Sequence, residues 1–413
     1  MAYIDNYKKY LDEIPTDIEM CKETGRRIVF GYTSDLDVLL TYNEEEFNKL
    51  VEANVKGDIY RDGDEDITDM ESFSRIIAYY MANGLGGEAD ITDKKVVDYL
   101  LEHFEHTFSL GGTAAQGAAA MASVGMPLIA HISDKSKEVC DLMDYEGLNA
   151  IVGEQQVPIR EIHTGEPVYH VVFSYTKGDS FVLHGKRYEV PISNRVILDY
   201  DTIHKDIVVK DDFKNYLEQH ADQLISYNVS GFNGIIDTDL VSRRMKELGV
   251  HYKKVKEKNP DCLIYFESAH YISQEVKKIV YREISSYVDI MGMNEEELVA
   301  HMKELDFEPD KENLNDVLKS MAVLTEKYHV RGIIMHTKDY SMYYGDEIPG
   351  IDIEKALTMG NLLSGTRARV GHYGNLSECY DSLKLELSST GVRFADELEK
   401  MHMDRKVYLV PSR

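Results

Sequence analysis

Short, nearly unbroken apolar runs recur along the chain: "RIVFGY" at 27–32, "MPLIAHI" at 126–132, "QLISYNV" at 223–229, "CLIYFES" at 262–268, "VDIMGM" at 288–293, "GIIMH" at 332–336 and "VYLV" at 407–410. Bounded runs of this length predict strands buried on both faces. Segments such as "SQEVKKIVYREISS" and "NEEELVAHMKEL" lie between them and carry apolar residues at helical spacing. Strands alternating with helices predict an α/β class: a Rossmann-type, mostly parallel sheet with helices on both faces and ligands beyond the C-terminal strand ends.

Two regions break the rhythm. Residues 155–199 contain period-two stretches punctuated by "TKGD" and "HGK", the pattern of antiparallel hairpins. Residues 38–109 are acidic and helix-rich, with "GLGGEADIT" as a flexible or strand-like insert. Together they predict a smaller α+β lid of residues 37–109 and 155–199 over a large domain of 1–36, 110–154 and 200–413. The stretch "DGDEDITDMESF" fails as a calcium loop, because Ile67 stands where glycine is needed and Phe73 where a bidentate carboxylate is needed. Thr68 followed by Glu71 reads instead as a helix capping box.

Charge narrows the partners. The 73 acidic and 46 basic residues give a formal charge of −27, which opposes nucleic-acid backbones and anionic membranes. Any phosphate site must therefore be a local exception, built on cations or Mg²⁺. With no apolar span long enough for a bilayer and a charged N-terminal stretch, the chain reads as cytoplasmic. Cys21, Cys140, Cys262 and Cys379 have no C-x-x-C spacing, so neither a disulfide framework nor a cysteine zinc site is expected.

Several strand ends carry candidate chemistry. Asn294 and Glu297 in "GMNEEEL" fit an N-cap with its capping-box partner, and at a parallel strand end they could also hold Mg²⁺ through water. Glu267 in "YFESA" is a solvated strand terminus or a second active-site carboxylate. Gly111 and Gly112 open a helix of small residues, suited to close ligand approach or simply to tight packing. Asp35 and Asp37 in "GYTSDLD" could bind sugar hydroxyls or cap the next helix. Asn194 and Arg195 in "SNRVIL" offer a cation for phosphate, or an ordinary surface ion pair. Histidines 163, 170, 270 and 336 are scattered and none is assigned to a metal. No HExxH, GxSxG, Walker A or GxGxxG sequence competes with these signals.

In order, "GYTSDLD", "GLGGE", "GGTAAQGAA", "KGD…SNRVI", "SGFNGI", "YFESA", "MNEEEL", "MHTKDY" and "LVPSR" resemble the ADP-dependent sugar kinases, the ADP-specific glucokinase and phosphofructokinase family with a ribokinase-like fold. The collinear set spans nearly the whole chain. The resemblance implies carbohydrate phosphorylation with ADP as donor and Mg²⁺ as cofactor, turning a hexose or hexose phosphate and ADP into a phosphorylated sugar and AMP. It implies a sugar site of Asp35, Asp37, Glu88, Gly112, Thr113 and Gln116. Arg195 would stabilise phosphate. Asn194, His336, Thr337, Val410 and Pro411 would lie near the nucleotide, and Glu267, Asn294 and Glu297 at the metal. Glu88 resembles the family's glucose-associated glutamate, which favours glucose over fructose 6-phosphate. Donor choice rests on the resemblance alone, and an ATP-using relative of the same fold is a further reading.

Two departures stand out. Tyr265 occupies the histidine position of the family's H-x-E motif. The G-x-G-D loop that follows the strand resembling "VYLVPSR", whose aspartate takes the proton from the attacking hydroxyl, has no counterpart in residues 1–413. "VGHYGN" at 370–375 is no substitute: Gly371 reads as a helix C-cap and Asn375 is not a carboxylate. The expectation is a chain that binds but transfers phosphate poorly, as a kinase fragment or as a non-catalytic sugar- or nucleotide-binding protein.

Overall fold

In the computed structural model, which describes residues 2–63 and 65–413, each of the seven apolar runs contains a strand. In chain order the strands are β1 (Arg27–Gly31), β2 (Asp35–Leu40), β3 (Gly87–Asp90), β4 (His106–Gly111), β5 (Leu128–Ala130), β6 (Leu148–Val152), β7 (Gln155–Pro158), β8 (Tyr169–Tyr175), β9 (Ser180–Leu183), β10 (Lys186–Glu189), β11 (Asn194–Tyr200), β12 (Leu224–Val229), β13 (Leu263–Glu267), β14 (Ile290–Asn294), β15 (Gly332–His336), β16 (Tyr340–Gly345) and β17 (Lys406–Pro411). Ten form one sheet in the order β17-β16-β15-β14-β13-β12-β1-β5-β6-β7.

From β15 across to β6 the pairing is parallel. At the far edge β16 opposes β15 and β17 opposes β16. Two reversals return β17 to the direction of the parallel set. Successive residues of β1 serve opposite faces: Ile28 and Phe30 pack into one hydrophobic core and Val29 into the other. Burial on both sides explains why these strands read as continuous apolar runs, and each fully buried aliphatic or aromatic side chain contributes on the order of 1.5–3 kcal/mol. No helix among the described residues is long and apolar enough to cross a membrane.

A second sheet runs β3-β11-β8-β2-β4. Its period-two strands bury Val38, Val171, Phe173 and Val196 beneath the helices Glu44–Asn54 and Met70–Asn83, where Phe47 and Phe73 meet Phe173 at centroid distances of 5.7 and 6.2 Å. The opposite phase faces the large sheet. "HGK" makes the β9–β10 turn, with His184 and Gly185 both at positive φ, 51° and 74°.

Four local readings change. Asp35 and Asp37 start β2 and cap no helix. The helix Met70–Asn83 is capped by Asp69 with Ser72, one position beyond Thr68 and Glu71, because the Asp69 side chain reaches the Ser72 N–H; Asp64 of that acidic stretch lies outside the described residues. Residues 155–158, grouped above with the lid, fold back on β6 as β7 and extend the large sheet. "GLGGEADIT" supplies an ordered edge strand, β3.

Candidate functional site

Only residues 32–34 separate β1 of the large sheet from β2 of the small one, so Asp35 and Asp37 stand where the two sheets meet. All six predicted sugar residues, Asp35, Asp37, Glu88, Gly112, Thr113 and Gln116, line one cleft of about 390 Å³ there. Gly112 has φ 82° and a Cβ on it would lie 2.5 Å from the Thr33 carbonyl oxygen, so both conformation and space demand glycine. The helix Thr113–Ser123 that follows has no side-chain N-cap, which leaves its first N–H groups available to a ligand or water. Arg367 donates to Gln116 Oε1 and, at 3.3 Å, to Ser109 Oγ, and stacks 4.5 Å over Tyr373.

Sheet register creates a feature that linear sequence does not display. Asp37 pairs with His170, His170 with Asp199 and Asp199 with Asp90, so one rung across β2, β8, β11 and β3 carries four ionisable side chains. His170 Nδ1 is 3.1 Å from Asp35 Oδ1, and its Nε2 is 3.8 Å from both Asp199 and Asp201. Burial opposes charging of His170, but these carboxylates outweigh it and hold the imidazolium well above its ordinary range. Burial, opposed by His170 and reinforced by Glu88 and Asp90, pushes Asp199 up to about 7. Burial and Asp35 push Asp37 up to about 6. Asp201 is held low despite burial by the neighbouring His170 and by a hydrogen bond with His204 at 2.7 Å. Linear sequence assigns no role to His170, His204, Asp199 or Asp201. The outward phase of "YHVVFSY" and "NRVILDY" was the available signal, but the pairing of the two strands was not.

The second cluster lies at the ends of β13, β14 and β15. Asn294 caps the helix Glu295–Lys303: its Oδ1 accepts from the N–H groups of Glu296 and Glu297, and Glu297 Oε2 accepts from the Asn294 N–H at 3.0 Å. The capping box is real and engages Glu297 through Oε2. Beside it, Glu267 accepts from Tyr265 Oη on one oxygen and from His336 Nε2 at 2.7 Å on the other. Thus Tyr265, at the H-x-E histidine position, and His336, from β15, both hold this carboxylate. Gly292 of β14 makes room, since a Cβ on it would sit 1.7 Å from Tyr265 Oη and 2.1 Å from Glu267 Oε2. Burial raises Glu297 above the usual carboxylate range, with the Asn294 N–H opposing and Glu267 reinforcing the rise.

Other predicted residues fall around these two centres. Asn194 and Arg195 line a shallower hollow with Glu88 and His270. Asn194 donates to the Gly84 carbonyl at 3.2 Å, a positioning bond for the loop before β3, while Arg195 is exposed and has no ion-pair partner among the described residues. Thr337 holds the β15–β16 turn by accepting from Asp339 and Tyr340 N–H groups. Val410 and Pro411 are buried, their carbonyls accepting from Asn361 and Tyr7, and line neither the cleft nor the hollow.

The family whose conserved region is described as ADP-specific phosphofructokinase/glucokinase matches residues 26–406. The chain belongs to this family. The ADP-specific phosphofructokinase of Pyrococcus horikoshii is 22% identical over 419 residues, covering 94% of this chain and 92% of that protein. Among solved structures, a last common ancestor of ADP-dependent phosphofructokinases from Methanosarcinales aligns with a TM-score of 0.79 at 18% identity, covering 100% of this chain and 93% of that one. An ADP-dependent kinase in complex with fructose-6-phosphate and ADPβS aligns at 0.76 with 17% identity, covering 100% and 92%. The span matched to this ADP-dependent kinase family takes in every candidate residue from Asp35 to Thr337 and stops before Val410.

Proposed function

We propose that the cleft is the acceptor site of a cytoplasmic ADP-dependent sugar kinase, that the small sheet acts as its lid, and that glucose is preferred over fructose 6-phosphate. The observation that carries this reading is the convergence of Asp35, Asp37, Glu88, Gly112, Thr113 and Gln116 on one cleft below a helix N-terminus. Buried carboxylates and N–H groups are suited to hydroxyl groups, and the acidic excess of the cleft disfavours a sugar phosphate. Arg195, with no ion-pair partner among the described residues, would meet transferring phosphate, with Asn194 positioning the neighbouring loop. ADP as donor is supported by family membership and by the related kinase that binds ADPβS.

The donor atoms near β14 fit Mg²⁺. They are all oxygens, Glu297 Oε1 is left over from the capping box, and Glu267, committed on both oxygens, suits water-mediated contact. When bound there, the ion would neutralise phosphate charge. His336 and Tyr265 orient Glu267, Asn294 fixes Glu297, and Thr337, Val410 and Pro411 shape the neighbouring strand ends toward the nucleotide. The test is AMP formation from Mg-ADP with glucose or fructose 6-phosphate, with ATP as donor control. Glucose-dependent AMP formation from Mg-ADP supports the reading. AMP formation with fructose 6-phosphate alone, or a preference for ATP, overturns it.

A further inference from the structure

In a chain of formal charge −27, one hollow of the large domain is basic. It measures about 380 Å³ and lies where the helices Gln274–Ile284, Glu295–Lys303 and Leu314–Tyr328 end, lined by their closing residues Ser285, Glu304 and His329. Lys277, Lys278, Arg282 and Lys327 face it, and Glu304 is the carboxylate in its lining. Glu283 answers Arg282 from outside at 2.7 Å, so four cations meet two carboxylates, with the His329 imidazole besides. Lys277, only 7% exposed, donates to Glu304 Oε1 at 2.8 Å, while Lys327 Nζ stands 4.0 Å from Oε2 of the same residue. Burial lowers Lys327 below the usual ammonium range, opposed by Glu304 and reinforced by Lys277. Lys278 is exposed and has no ion-pair partner among the described residues. Helix ends explain part of this, because their carbonyls favour cations and Arg282 and Lys327 lie in last turns. Lys277 and Lys278 are the fourth and fifth residues of their helix, where the dipole offers no such reason. Burying an ammonium is costly, and one carboxylate shared by two lysines recovers only part of that cost. A second buried group is also unspent: His301, 1% exposed, meets Tyr328 Oη through Nδ1 at 3.0 Å, but its Nε2 has no hydrogen-bond partner. Burial, Lys277 and Lys327 keep this ring neutral. It lies in an adjoining hollow that shares Lys277 and Glu304 with the first.

We propose that the hollow between these helix ends is a second anion site, apart from the acceptor cleft and the cation site, and that it takes a phosphate group, free or carried on a small metabolite. A phosphate brings acceptor oxygens and negative charge to Lys278 and Lys327, which bind it as mobile point charges, while Lys277 remains on Glu304. Relief of the repulsion between Lys277 and Lys327 adds to the attraction. The rings of Tyr281 and Tyr328, 5.2 Å apart between centroids, give the hollow an apolar wall against which a carbon frame would lie. Glu304 opposes the incoming anion and therefore sets how tightly it is held. The site stands independently of which sugar the cleft accepts.

The test is calorimetric titration of inorganic phosphate, and separately of glycerol phosphate, into the full 413-residue chain at pH 7.5 and low salt. Saturable binding is expected, weakening several-fold in 0.5 M NaCl as interactions of exposed charges do. Lys278→Ala combined with Lys327→Ala should weaken it by about tenfold or more, the scale of a hydrogen bond to a charged group. Glu304→Gln should tighten it several-fold, an effect that a purely structural role for the Lys277–Glu304 pair does not produce; where that variant fails to fold, the lysine variant decides, since both lysine heads reach solvent. Tighter binding of glycerol phosphate supports a metabolite lying on the tyrosine wall, and tighter binding of inorganic phosphate supports the free ion. No binding of either, or equal affinity in wild type and the lysine variant, overturns the inference. Binding that Arg195→Ala abolishes and the lysine variant retains also overturns it, and places the anion in the hollow beside Asn194 instead.

Discussion

Gly292→Ala tests the architecture at the end of β14 through one carbon atom. The new methyl would sit 1.7 Å from Tyr265 Oη and 2.1 Å from Glu267 Oε2, whereas ordinary contact begins at 3.4 Å. The phenol must therefore retreat by about 1.7 Å, and the carboxylate that it holds cannot keep its place. Tyr265 is half-buried on β13, between β12 and β14, and overpacking of this kind costs about 1–3 kcal/mol of stability. Displacing a residue that supports a metal site typically costs about 10- to 100-fold in metal affinity. Mn²⁺ binding in the presence of ADP, followed by electron paramagnetic resonance, should weaken by that factor while circular dichroism reports a folded chain. Adding Tyr265→Phe removes the nearer clash, so the double variant should recover part of the loss, a non-additivity expected only if the two residues act on Glu267 together. A folded Gly292→Ala chain that binds Mn²⁺ as tightly as wild type refutes the assignment of Glu267 to the cation site.

Further perturbations probe the cleft. Arg367→Ala removes donors to Gln116 and Ser109 and the cation that helps offset Asp37, and glucose affinity by calorimetry should fall about tenfold, the scale of one charge-assisted hydrogen bond; an unchanged affinity would show that Gln116 needs no support. Gly112→Ala forces a non-glycine residue to φ 82° beside the Thr33 carbonyl, so chemical unfolding should report a loss of about 1–3 kcal/mol. Asp37 and Asp199 have folded values of about 6 and about 7, above their unfolded value of 3.8. Between those limits the folded chain holds more protons than the unfolded one, so ligand-free stability should fall as pH rises from 5 to 7.5, and Asp199→Asn should flatten the slope of melting temperature against pH. A melting temperature that rises over that interval in wild type contradicts the burial of these carboxylates.

Much of this arrangement was legible in sequence for physical reasons. Strands buried on both faces must be apolar throughout, so β1, β12, β13, β14 and β15 announced themselves, whereas "YSMYYG" of β16, polar and aromatic, did not. The cap at Asn294 and Glu297 was readable because both partners lie three residues apart, as was the C-cap at Gly371, which has φ 81°. The cap on the helix Met70–Asn83 was misplaced by one residue because Thr68 and Asp69 both offer cap chemistry, and the geometry that chose Asp69 is tertiary. Asp35 and Asp37 were marked as chemistry, but their strand was not, since "DLDVLL" alternates only in register with a partner from residues 169–173. His170, Asp199 and Asp90 form a rung only after four strands have paired, and the Glu267 partner His336 comes from 69 residues away. Such residues are set by register, and register is a property of pairs.

The central claim is that one cleft takes a hexose and the neighbouring strand ends take Mg-ADP. Isothermal titration of glucose into the 413-residue chain, with and without Mg-ADP and with Asp35→Asn as control, tests it most directly. The account predicts saturable one-to-one glucose binding, weakened at least tenfold in the variant, and a separate saturable heat for Mg-ADP. Absence of glucose binding at millimolar concentration in a folded chain, or binding that Asp35→Asn leaves unchanged, contradicts it.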